Sequence, residues 1–168
     1  MYKEKVGVQM RNEPMNQISP KGLKVWRLYG VIHSTVILLI SIGAGILNWW
    51  LEGPLWVLFI CILVPLLYTY IFVYLFPKLR WLRWRYEVRE QEIELQHGLF
   101  IVRRVLVPMV RVQHVDTQQG PILRKYDLAS ITISTAATNH TIPALITNEA
   151  DELRSRISTL ARVAEDDV

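Results

Sequence analysis

Fixed charge is missing from most of the first half of this chain. Between Arg27 and Glu52 no residue carries one, His33 being the sole group that titrates near neutrality, and between Glu52 and Lys78 there is none at all. Each stretch is about two dozen residues long, enough for a helix of roughly 36 Å at about 1.5 Å per residue. A bilayer's hydrocarbon core is about 30 Å thick and takes about 20 apolar residues to cross. A wholly soluble protein is therefore excluded. Cysteine is almost absent too. Cys61 stands alone in the second apolar run, so no intrachain disulfide can form and the thiol reads as packing. The polar half accordingly fits a reducing compartment. A cleavable leader is also missing, because a polar segment of about 27 residues precedes a run too long for a signal peptide, and an uncleaved anchor is expected.

Catalytic patterns are equally scarce. Ser130, Ser134 and Ser155 have no nucleophile elbow around them, and no glycine-rich phosphate loop occurs. His97, His114 and His140 with Asp116 lack metal-ligand spacing and read as surface or turn hydrogen bonding. Neither apolar run contains Asp, Glu, Lys or Arg, which leaves a two-helix transporter without ligands for its cargo; Pro65 can kink the second helix but does not make a path. The sequence pI of about 9.3 comes largely from bases beside the apolar runs. With no accompanying motif, it does not point to nucleic acid.

What is present divides into two halves, behind averages of 51% hydrophobic residues and a net charge of +4. Lys3, Lys5, Arg11, Lys21, Lys24 and Arg27 precede the first run, and Lys78, Arg80, Arg83, Arg85 and Arg89 follow the second, whereas the connector carries only Glu52. The positive-inside rule puts both termini in the cytoplasm of a two-span protein of the cell membrane. Asn48-Trp49-Trp50-Leu51-Glu52-Gly53-Pro54 supplies the turn formers and interfacial tryptophan of a tight hairpin. Trp26, Tyr29, Trp56, Tyr74, Trp81 and Trp84 are expected at the interfaces as well, with His33 snorkelling there. The expected organisation is a cytoplasmic segment over 1–27 and a hairpin over 28–77, with spans at about 28–49 and 54–77. A cytoplasmic unit over 78–164 and an acidic tail over 165–168 complete it.

From Leu82 onward the pattern alternates. Trp84, Tyr86 and Val88 interleave with Arg83, Arg85, Glu87 and Arg89, and 92–96 alternates likewise. Glu90-Gln91 and Gly98 suit turns. Further strands are expected over 99–107 (ended by Pro108), 110–115, 122–126, 129–135 and 140–146, the last with Pro143 at a bulge or edge. Thr147 or Asn148 can cap a closing helix whose first turn holds Glu149, Asp151 and Glu152. Its apolar stripe is Ala150, Leu153, Ile157, Leu160 and Ala164, with Arg154, Arg156 and Arg162 opposite. About seven antiparallel strands and one helix make an α+β unit, a curved sheet or partly open barrel plugged by the helix.

Trp84-Arg85-Tyr86, Gly98, Val107-Pro108 and Arg111-Val112-Gln113-His114-Val115-Asp116, then Gln119-Gly120-Pro121, Arg124, Leu128-Ala129 and Thr135-Ala136, resemble the bacterial pleckstrin-homology-like membrane proteins. The likeness extends over roughly 20–160 and is nearest to the family's small YdbS-like members, which share the two-helix layout. Asp127 and Ala137 depart from it, standing where glycine is usual. The resemblance implies a pleckstrin-homology-like β-barrel or sheet with a C-terminal helix, no enzymatic activity and no cofactor. It also implies a role in binding proteins or lipids or in self-assembly, small members often occurring beside a larger membrane protein with several copies of the domain.

Three groups of candidate residues emerge. Arg111, Gln113, His114, Asp116, Gln119 and Arg124 either fix a turn between strands or dock a partner. Lys78, Arg80, Arg83 and Arg85 either enforce topology or also hold anionic headgroups, at about 1 kcal/mol per basic residue near an anionic surface. Ser41, Gly43, Ala44 and Gly45 form a small-residue face that permits close helix approach. The leading functional expectation is a non-enzymatic interaction module, anchored in the bilayer and belonging to a larger envelope complex, whose partner is a larger homologous membrane protein or a second copy. A sensor of anionic lipid is the alternative, and a small transporter component the less favoured one.

Overall fold

The computed structural model describes residues 13–166; Lys3, Lys5, Arg11 and the end of the acidic tail lie outside them. Asn16–Gln17 (β1) opens the described chain, and α1 runs unbroken over Pro20–Trp50. Ser19 caps α1 by accepting from the Lys21 amide at 3.3 Å, and Pro20 takes the first helical position, where its missing N–H is no loss. The chain turns at Glu52, held at a left-handed φ of 52°, and returns as α2 (Leu55–Thr69). A π-helical stretch over Tyr70–Leu75 leads directly into α3 (Phe76–Arg83). Pro65 lies inside α2 and has no N–H to give the preceding turn, while Thr69 Oγ1 donates to its carbonyl at 2.7 Å. Both helices, Pro20–Trp50 and Leu55–Arg83, are long and apolar enough to cross a membrane. The helices cover 20–50 and 55–83, against expected spans of about 28–49 and 54–77.

Two antiparallel sheets come next. One has the order β1-β2-β3-β4, with β2 Arg85–Val88, β3 Glu92–His97 and β4 Arg103–Pro108; the other has β5 Val112–Gln118, β6 Leu128–Thr135 and β7 Asn139–Ile146. A five-residue helix, α4 (Pro121–Lys125), joins β5 to β6, and α5 (Thr147–Asp166) closes the fold. Ile93 and Leu95 of the first sheet, Ile131 and Ile133 of the second, and Ala150 and Ile157 of α5 share one buried cluster. Leu153, Leu160 and Ala164 pack against it, so the expected stripe is the face that α5 buries.

Three expectations change. Leu99–Val102 is not part of a strand: Gly98 turns the chain at a φ of 137°, where an added Cβ would collide with the Ile101 carbonyl, and pairing resumes only at Arg103. Residues 122–126 lie in or beside α4, because Pro121 fixes φ at a helix start and five residues give periodicity nothing to show. Trp84 is not interfacial. It is 5% exposed in the core, and Trp81 packs beside it with its indole N–H donating to the Ile18 carbonyl at 3.3 Å.

Other expectations hold. Pro143 sits at a register shift on the edge strand β7, where Ile131 faces Ile142 but Ala129 faces Leu145. The extra residue puts Ala144 at φ 53°. Asp127 occupies a left-handed position, φ 57°, which explains why glycine is usual there and why aspartate is tolerated. Ala137 is not among the residues with positive φ.

A candidate docking groove and the bases after the second span

The six polar signature residues do not form one cluster. Arg111 ends the single 3₁₀ turn Met109–Arg111 between the sheets, and Gln113 lies just beyond it on β5. Both line a groove of about 470 Å³ with Leu106 and Pro108 of β4, Val110, and the β6–β7 turn. β4 and β5 are the terminal strands of their sheets, and residues of both line this groove. Leu106 and Val110 stand exposed beside it. Nothing in the local pattern marks them, since Leu106 stands in the continuous apolar run Val105-Leu106-Val107 and Val110 at an apolar position of an alternating stretch.

His114 and Asp116 face each other on β5, Nε2 to Oδ1 at 2.8 Å, and both are substantially exposed. Gln119, at the far end of β5, donates to the Leu128 carbonyl at 2.9 Å and to Thr147 Oγ1 at 3.2 Å. That ties β5 to the starts of β6 and α5, which is the turn-fixing role. Arg124 is exposed on α4. Among the described residues no three His, Cys, Asp or Glu side chains come together as a metal site.

The four bases that follow the second span also separate. Arg83 donates from one guanidinium nitrogen to the carbonyls of Leu99 and Phe100. Arg85 pairs with Glu13 at 3.4 Å. Arg80 stacks over the Trp26 ring, its guanidinium carbon 4.4 Å from the centroid. Lys78 is exposed. A fifth base, Arg89, organises the β2–β3 hairpin by meeting Glu87, Glu92 and Glu94 at 3.0–3.2 Å, and these carboxylates raise its pKa. Glu94 is buried, so this ion network is structural. In the hairpin, Ser41 and Gly45 line the groove between α1 and α2, whereas Gly43 and Ala44 face outward, with open space around Gly43.

His97 ends β3 with its ring stacked on Trp84 at 5.9 Å. Burial pushes its pKa below the usual 6.5, and the charges of Arg103, His140 and Arg80 push the same way. The folded protein thus resists protonating it more than the unfolded chain does. The stability tied to this ring is complete above about pH 6.5 and is lost as pH falls toward the lowered folded value. Thermal unfolding of the full chain should weaken progressively with acidification through this window, and His97→Gln should flatten the slope. An unchanged slope in the variant would show that other groups carry it.

A family model described as Bacterial PH domain matches residues 31–161. The UPF0699 transmembrane protein YdbS of Bacillus subtilis (strain 168) is 57% identical over 159 residues, covering 95% of this chain and all of that protein. No solved structure matches the chain. Two membrane-capable helices, two antiparallel sheets and a closing helix agree with that match. The chain belongs to the bacterial PH domain family and is a transmembrane member of it.

Proposed function

We propose that this protein is a non-enzymatic interaction module of the cell membrane, with its PH-like unit and both flanks in the cytoplasm, where it docks a membrane protein carrying PH-like domains of its own. The observation that carries this reading is the β4–β5 groove: the terminal strands of both sheets line it, exposed Leu106 and Val110 supply apolar contact, and Arg111 and Gln113 supply polar contact. A strand edge from a related domain would satisfy the backbone groups, and the side chains would set specificity. Cytoplasmic sidedness rests on the basic flanks and the base-free connector.

A photo-crosslinking residue placed at Val110 in native membranes tests it. The expected adduct is a PH-like membrane protein or a second copy, absent from a control at Thr159 on the solvent side of α5. Arg111→Glu should cut the yield about tenfold, the scale of a central interface residue. Lipid adducts alone at Val110, or equal yields at both positions, would overturn the reading.

A further inference from the structure

A cavity of about 650 Å³ opens where α1 and α3 meet the end of β3. Tyr29, Gly30, Phe72 and Phe76 form its wall on the membrane side, and Trp84 and His97 its wall on the domain side. Phe72 and Phe76 belong to an aromatic ladder that continues past the cavity at both ends. Tyr68 stacks on Phe72 with centroids 4.2 Å apart, Phe72 meets Phe76 at 4.9 Å, and Phe76 meets Phe100 edge-on at 6.0 Å. Phe76 lies roughly 30 Å along the second helix from Leu55, about one hydrocarbon thickness. That length puts Phe100 and its loop where the headgroup layer is expected. That explains an otherwise anomalous surface: Phe100 and Ile101 are 75% and 74% exposed, and Arg83 pins the loop to α3 through the Leu99 and Phe100 carbonyls.

The cavity is amphipathic in the direction a lipid is. Its membrane end is aromatic apart from His33. Arg80 lines its domain end, held by the Trp26 ring yet still accessible. His97 lines the same end, its ring stacked on Trp84. The volume suits a polar head with its proximal carbons, so attached acyl chains would have to remain in the bilayer.

We propose that this cavity binds the phosphate end of one anionic phospholipid from the leaflet the domain faces, with Arg80 and His97 at the phosphate and the acyl chains along the Tyr68–Phe72–Phe76 rings. The Leu99–Val102 loop dips into the headgroup layer as the site's outer wall. The proposal goes beyond partner docking and shares no lining residue with the β4–β5 groove, so either can fail alone.

Native mass spectrometry of the full chain, titrated with phosphatidylglycerol or phosphatidylcholine of identical chains, tests it. One phosphatidylglycerol should be retained about tenfold more tightly than phosphatidylcholine, whose equally charged phosphate carries a choline cation that Arg80 would repel. Arg80→Gln should erase most of that preference, and Lys78→Gln, which does not line the cavity, should keep it. Equal retention of the two lipids by the unaltered chain would overturn the proposal whatever the variants do. So would an equal loss in Lys78→Gln, which would indicate diffuse surface attraction. Glycerol phosphate without acyl chains is expected not to bind. Binding as tight as the lipid's would mean that the site takes a free phosphate ester and would overturn the lipid assignment.

Discussion

Replacing Ile157 with aspartate is expected to leave the hairpin in the membrane and to unfold the two sheets together with α5. Ile157 is fully buried on the face that α5 turns to both sheets. Truncating a buried isoleucine costs about 2–5 kcal/mol, and an unpaired carboxylate adds several more. A domain of this size is stable by about 5–15 kcal/mol in all, so the sum consumes most or all of the margin. Leu153→Asp should be milder, because Leu153 is only half-buried and a carboxylate there can reach water. Limited proteolysis of membrane-embedded protein distinguishes the cases: Ile157→Asp should lose the protected C-terminal fragment, and Leu153→Asp should lose it only on warming. Full protection in Ile157→Asp would mean that α5 does not hold the sheets together.

The second large effect lies inside the membrane. A Cβ on Gly30 would come within 2.5 Å of the Phe72 carbonyl oxygen and 3.1 Å of its carbon. The obstacle is backbone in the π-helical stretch, which cannot swing aside as a side-chain tip can. Gly30→Ala should therefore destabilise the chain by about 1–3 kcal/mol, and Gly30→Leu by more. The matched control is Gly43→Ala, where a Cβ meets nothing within 4 Å. Thermal unfolding in one detergent should separate the two alanine variants by several degrees. Coincident curves would show that the spans do not approach through Gly30. Gly43 is the better place to probe assembly, because Gly45 already faces Leu58 and Cys61 of the returning helix at 3.9 and 4.0 Å.

Residues whose environment is set by local pattern are readable from the sequence. Charge exclusion marks both spans, two-residue alternation marks Arg85–Val88 and Leu128–Thr135, and four-residue spacing marks the buried face of α5. The π-helical stretch leaves no trace, because one extra residue per turn does not alter an already continuous apolar run. Leu99–Val102 misleads for a physical reason. An apolar run near a membrane can be apolar for the bilayer's sake rather than the core's, and periodicity does not separate the two causes. The signature polar residues are legible as residues but not as a site, since Arg111 and Gln113 converge with β4 only after the sheets form. The cavity is the least legible of all, its walls coming from α1, the second helix and β3.

The two residues of β1 bear on how the protein is made. Asn16 pairs with Tyr86 and Gln17 with Arg85, and the Gln17 side chain donates to the Trp81 carbonyl at 3.1 Å. The ribosome must therefore deliver the entire hairpin between the first strand of this sheet and its partner. Residues 16–18 wait unpaired while both spans are integrated, and they find β2 only if each end of the hairpin emerges on the same side. A chain inserted with one span, or with its second span looped back, leaves Ile18 without the core it occupies in the finished fold. Completion of the sheet thus doubles as a check on membrane insertion, and a mis-inserted chain would present an unfinished sheet edge to the proteases that survey the membrane.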